Sequence, residues 1–217
     1  MNLVIVSSPH KFESELKIIS RLFDCGLETF HLRKPKFSYS TLNKYLKMFP
    51  KEHLGKVIIH THHRLALKYN LKGVHITEKK KKKKFSTAVK MKLLAFFKKN
   101  LIITSSFHSA NDLLHDKKNY EYVFLSPVFQ SISKKNYGTA FSEETLKRVL
   151  SKTHHKVIAL GGINSQNVPK AKEYGFSGVA VLGALWEEDK DPVKTFVEIR
   201  NVCNEKELKI SNLSIEI

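Results

Sequence analysis

The sequence predicts a (β/α)₈ barrel, and three observations carry that prediction. Short runs rich in β-branched and apolar residues recur about eight times, the length and composition of buried strands. The segments between them carry helical spacing or helix caps, and a strand-helix alternation demands a parallel sheet covered by helices. The last two strand-like runs end in glycines, KVIALGG and GVAVLG, which favours tight strand-to-helix turns.

In chain order, LVIVSS opens the first unit, and Phe12, Leu16, Ile19 and Phe23 mark the helix after it. ETFHLR is the second strand, followed by Leu42, Tyr45 and Phe49 on one helical face. VIIHT and GVHI are the third and fourth, and the helix expected after GVHI, residues 85–99, is periodic only in part. LIITSS precedes Ser109, which caps residues 110–114, and YVFLSP precedes Ser142, which caps residues 143–150. After KVIALGG, Asn164 is the expected cap ahead of residues 168–174, and GVAVLG closes the set. An open doubly wound sheet gives similar local patterns, but eight units in 217 residues favour closure. Residues 1–204 are thus expected to form one barrel, with 205–217 as a tail that is an extra strand or a loose end.

With 41% hydrophobic residues the chain can bury a continuous core. No run is long and apolar enough to span a bilayer, and MNLVIVSSPH lacks the basic start of a signal peptide, so a cytoplasmic protein without a membrane partner is expected. Cys25 and Cys203 read as reduced packing residues. The formal charge of +18 favours polyanions of any kind, phosphorylated metabolites included. A basic stripe interleaved with aromatics is missing, so nucleic acid is not an expected partner, and Lys79 to Lys84 reads as a solvated loop. A homo-oligomer is compatible with all of this.

In such a barrel the loops after the strands gather at one mouth and decide the chemistry. Gly161, Gly162, Gly183 and Ala184 follow strands seven and eight, where these barrels commonly hold phosphate against backbone N–H groups.

Three segments now carry a resemblance: ETFHLRKP, LIITSSFHS, and YVFLSPVFQSISKKNYGTAF followed by VIALGGIN and VAVLGAL. From about residue 2 to about residue 200 the chain resembles thiamine phosphate synthase and its relative, the thiazole tautomerase of thiamine biosynthesis; SPVFQSISK before ALGGI is the most specific part. The resemblance implies a (β/α)₈ barrel that binds thiazole phosphate on the backbone of Gly161, Gly162, Gly183 and Ala184. It implies Lys134 against diphosphate, with Arg33 from the strand-two motif and Ser106 after strand five as further substrate contacts. For a synthase it also implies magnesium and a hydroxymethylpyrimidine diphosphate.

Departures from that pattern are concentrated after strands two to four. The family's Q-L-R-x-K becomes His31-Leu32-Arg33-Lys34-Pro35, so Lys34 or Lys36 would supply the lost charge from a shifted position. Its Asn-Asp pair becomes His60-Thr61, and its second metal-holding aspartate becomes Lys80. Magnesium takes hard oxygen ligands, and both carboxylates are missing. His31 and His60 are therefore counted with Arg33, Lys34 and Ser106 as substrate contacts. His108, in SSFHS, stands where the tautomerase keeps its catalytic histidine, and imidazole can both accept and donate a proton.

The leading expectation is a metal-independent tautomerase in which His108 moves the proton, needing no cofactor. The alternatives are a divergent synthase using Arg33, Lys134 and the lysine run, with magnesium if that reading holds, and a non-catalytic phosphate-binding barrel. His75 is expected to be packed and hydrogen-bonded. His62 and His63 are expected to cap a helix or face solvent. A zinc site from His31, His60 and His108 is set aside, because no carboxylate lies close in sequence.

Overall fold

A computed structural model describes residues 1–10, 12, 14–78, 84–130, 141–187 and 190–213, without the side chains of 84–88, 90, 95 and 206–213. Lys134, Lys79 to Lys83 and residues 214–217 lie outside the described residues.

The eight expected strands are present as β1 (Asn2–Val6), β2 (Phe30–Leu32), β3 (Val57–Ile59), β4 (Gly73–Ile76), β5 (Ile102–Phe107), β6 (Val123–Leu125), β7 (Val157–Leu160) and β8 (Gly178–Val181). Each pairs in parallel with the next, and β8 pairs with β1, closing the barrel. The chain folds this way because its strands are buried on both faces, one turned to the lumen and one to the helices.

The helices are α1 (Glu15–Asp24), α2 (Tyr39–Lys47), α3 (Lys51–Leu54), α4 (Leu65–Lys68), α5 (Lys84–Phe97), α6 (Ala110–His115), α7 (Glu143–Lys152), α8 (Val168–Tyr174) and α9 (Pro192–Leu213), with a short 3₁₀ turn at Gly183–Leu185. Ser109 caps α6 by accepting from the Asp112 N–H, and Ser142 caps α7 by accepting from the Thr145 N–H. The weakly periodic segment after β4 does form a helix, α5. Cys25 and Cys203 are free thiols, half-buried and buried.

Two expectations are corrected. The segment expected as a tail is not separate at its start, since α9 continues to Leu213. Asn164 is not the cap of α8: Asn167 holds that place, while Asn164 Oδ1 accepts from the N–H groups of Gln166 and Asn167.

Strand register stacks the lumen side chains in layers, because the pairing drifts by about one residue per strand around such a barrel. Val4, Ile58, Thr104 and Ile158 form one layer from the odd strands. His31, His75, Phe124 and Ala180 from the even strands lie above it, then Val6, His60, Ser106 and Leu160. Barrels usually fill such layers with branched aliphatic residues. Here imidazoles take the middle, and His31 and His75 both pack on the Phe124 ring, at 4.8 and 5.2 Å between centroids.

Candidate active site

The mouth of the barrel, at the C-terminal ends of the strands, is built from two unlike sets of groups. On the side of β6 to β8 the backbone dominates. Gly161 and Gly162 carry φ of +98° and +67°, which side chains with a Cβ rarely adopt. A Cβ on Gly162 would stand 2.4 Å from the Gln130 carbonyl oxygen, and one on Gly161 would stand 2.9 Å from Pro127 Cα. The turn also grips the loop after β6: the N–H groups of Val128 and Phe129 donate to the carbonyls of Leu160 and Gly161. Glycine here thus lets one loop pass close over another, leaving a backbone wall rather than a side-chain wall.

The residue that begins the helix beyond that turn spends its side chain on the turn and does not cap the helix. Asn167 Oδ1 accepts from the Asn164 N–H at 3.0 Å, and Asn167 Nδ2 donates to the Gly162 carbonyl at 2.7 Å. Gly183 and Ala184 lie in the 3₁₀ turn after β8, and Trp186 Nε1 donates to the Val6 carbonyl, tying that turn to β1.

On the side of β2 to β4 side chains dominate. His31 Nδ1 lies 2.9 Å from His60 Nε2, and His31 Nε2 lies 2.5 Å from the Tyr122 hydroxyl. His75 stacks on His60 at 4.2 Å and holds Thr104 Oγ1 at 2.9 Å through Nδ1. All three imidazoles are buried. Burial pushes His31 down to about 3, with the nearby Lys72 charge adding to it. His60 is pushed well below the ordinary histidine value, again by burial first and then by neighbouring imidazoles and Arg33. His31 and His60 are therefore neutral at pH 7.

Arg33 lies at the exposed rim, close enough for its charge to act on His60. Lys34 does not join it. Its ammonium donates to the carbonyls of Ser8 and His10 and to both Glu15 oxygens, at 2.6 to 2.8 Å, so its three protons are committed inside the protein. Glu15 also accepts from the Tyr45 hydroxyl at 2.7 Å. Ser106 is buried in the layer above His31, beside His60.

His108 stands apart, half-exposed. A carbonyl can only accept, so its 2.7 Å contact with the Ser126 oxygen places a proton on Nδ1, while Nε2 lies 3.6 Å from the Glu78 carboxylate, an ion pair when the ring is protonated. The structure therefore separates the three histidines that sequence spacing could group. His31 and His60 meet, but His75 completes the trio, not His108. His62 and His63 are half-buried and their side chains do not cap α4: His62 donates to the Phe37 carbonyl, and His63 donates to the carbonyls of His60 and His75.

The two positions expected to hold magnesium do not fit it. Among the described residues that follow β3 and β4, Glu78 is the one carboxylate, and Thr61 stands where the first aspartate would be. A divalent hard cation needs more charged oxygen than that.

A closed parallel barrel with its polar groups gathered at the mouth defines a (β/α)₈ scaffold of the enzyme type. The family described as Thiamine monophosphate synthase matches residues 3–185, from β1 through the turn after β8, and the chain belongs to that family. It is 25% identical over 193 residues to a thiamine-phosphate synthase of Clostridium tetani, covering 87% of this chain and 88% of that protein. A thiamine-phosphate synthase of Clostridium acetobutylicum is 28% identical over 180 residues, covering 80% and 81%. The crystal structure of thiamine phosphate pyrophosphorylase from Bacteroides thetaiotaomicron superposes with a TM-score of 0.71 at 27% identity, covering 94% of this chain and 98% of that one. The Pyrococcus furiosus thiamine phosphate pyrophosphorylase, at 20% identity and a TM-score of 0.73 over 94% and 96%, supports the fold. These relatives carry the synthase name, and the tautomerase expectation gains no support from them. No described helix is long and apolar enough to cross a membrane.

Proposed function

We propose that the chain is a divergent thiamine-phosphate synthase, joining hydroxymethylpyrimidine diphosphate to thiazole phosphate with release of diphosphate. The observation that carries this is the family match over residues 3–185, which takes in the C-terminal end of every strand and so the whole mouth. The reading that stood second on sequence thus becomes the first.

In this reading the thiazole phosphate lies against the backbone of Gly161, Gly162, Gly183 and Ala184. Charge that develops on the departing diphosphate is met by Arg33 and Lys134, which act where carboxylate-held metal would otherwise act. His31, His60 and Ser106 form the floor beneath the pyrimidine. Lys34 is left out of the substrate contacts, because its ammonium has no proton to offer.

The test is to mix the purified protein with both substrates and follow thiamine phosphate and diphosphate, with and without magnesium. Formation of both products in equal amounts supports the synthase. Arg33→Ala should lower the turnover by about 100-fold. His108→Gln should lower it by less than about threefold, since no proton transfer by His108 is needed.

A tautomerase remains the competitor because of one observation, the Nδ1 proton fixed on His108 with Nε2 beside the Glu78 carboxylate, which pairs with the ring when it is protonated. It wins if thiamine phosphate does not form, while aromatisation of the carboxythiazole phosphate proceeds and falls by about 100-fold or more in His108→Gln. Saturable binding of thiazole phosphate without either reaction would favour a binding protein.

A further inference from the structure

The histidine trio in the lumen is more than a polar filling. We propose that His31, His60 and His75 form a binding site for a transition-metal cation of the zinc type, separate from any magnesium on diphosphate.

The first support is proximity. One ring nitrogen from each histidine falls within 4.8 Å of the others, and the closest pair is 2.9 Å apart. In a tetrahedral zinc site with Zn–N near 2.0 to 2.1 Å, ligand nitrogens stand about 3.3 Å apart. The widest pair must therefore draw together by up to about 1.5 Å to hold a cation. Three protein ligands leave a fourth position for water or a substrate donor, as in catalytic rather than structural zinc sites.

The second support is the state of the other nitrogens. Metal-binding imidazoles are held by a partner on the opposite ring nitrogen, which fixes the tautomer. Thr104 Oγ1 contacts the Val74 carbonyl as a donor, at 3.4 Å, and so accepts from His75 Nδ1–H. That leaves the lone pair of His75 on Nε2. His31 Nε2 meets the Tyr122 hydroxyl, which can accept its proton once Nδ1 binds a cation. His60 offers the Nε2 that already faces His31.

Donor chemistry sets the class of metal. Neutral imidazoles suit zinc, copper, nickel and cobalt rather than magnesium or calcium. Arg33 and Lys72 oppose a cation, since their charges act on His60 and His31. Removing the rim charge should therefore tighten binding, the opposite of what loss of a ligand does.

The experiment uses untagged full-length protein freed of metal with a chelator and titrated with Co²⁺, then with Zn²⁺ in competition. One cobalt per chain with the visible absorption of a tetrahedral site, displaced by zinc, is expected. His31→Gln and His75→Gln should abolish that spectrum, His108→Gln should keep it, and Arg33→Met should bind more tightly. Thr104→Val removes no ligand but should weaken binding by about tenfold. It also covers the case in which a histidine variant fails to fold. Absence of a stoichiometric tetrahedral spectrum overturns the proposal, as does a spectrum that survives unchanged in His31→Gln, His75→Gln and Thr104→Val.

Discussion

The half of the mouth formed by β6 to β8 and the half formed by β2 to β4 solve their problems with different groups. The first uses main chain shaped by Gly161 and Gly162, whose positive φ lets the loops after β6 and β7 cross at contact distance. The second uses side chains: three buried imidazoles and a rim arginine, with Lys34 drawn inward to Glu15. A backbone wall tolerates nearly any neighbouring sequence but not an added methyl group. A side-chain floor can be rewritten residue by residue, and it answers to pH.

The sharpest way to break this contrast is Glu15→Gln. It leaves a buried ammonium without its counter-charge and should cost about 4 kcal/mol in urea unfolding. If the loss were under about 1 kcal/mol, Lys34 would have to be free to turn towards the mouth, and its exclusion from the substrate contacts would fail. Next comes Gly162→Ala on the other half. Backbone strain together with a 2.4 Å clash against the Gln130 oxygen should cost about 3 kcal/mol. A neutral result would mean that the two loops can part without penalty.

Acid sensitivity is the smaller effect. The folded His31 takes up a proton only near 3, whereas the unfolded chain does so at its ordinary 6.5. Between those values the unfolded state binds more protons, so stability falls as pH falls through that window. At pH 5 the loss from this one imidazole should be about 2 kcal/mol relative to pH 7.5. His31→Gln should flatten the dependence of melting temperature on pH, and Gly162→Ala should leave its slope alone. Equal slopes in the native chain and in His31→Gln would place the acid response elsewhere.

The fold was largely legible because each strand is a compact apolar run and two of the helices begin at serine caps that behave as local chemistry requires. The far end of α9 was not, since NEKELKIS is too polar to show a buried face. In the site, the glycine turns could be read from one stretch of sequence, because a backbone feature is local. The histidine floor could not. Alternation tells which residues of a strand face inward, but only the stagger between strands decides that His75, rather than His108, meets His31 and His60. The fate of Lys34 was hidden for a similar reason: its partner Glu15 sits on the preceding helix, outside any motif. Asn167, which stands at the cap position and holds the Gly162 carbonyl, is missed when the first asparagine after a strand is taken as the cap.

One contact also fixes how molecules can come and go. By gripping the carbonyls of Ser8 and His10, Lys34 fastens the loop after β1 to the loop after β2 through a buried knot of charge. That quarter of the rim is masonry. Any loop movement that admits substrate therefore has to occur elsewhere around the mouth.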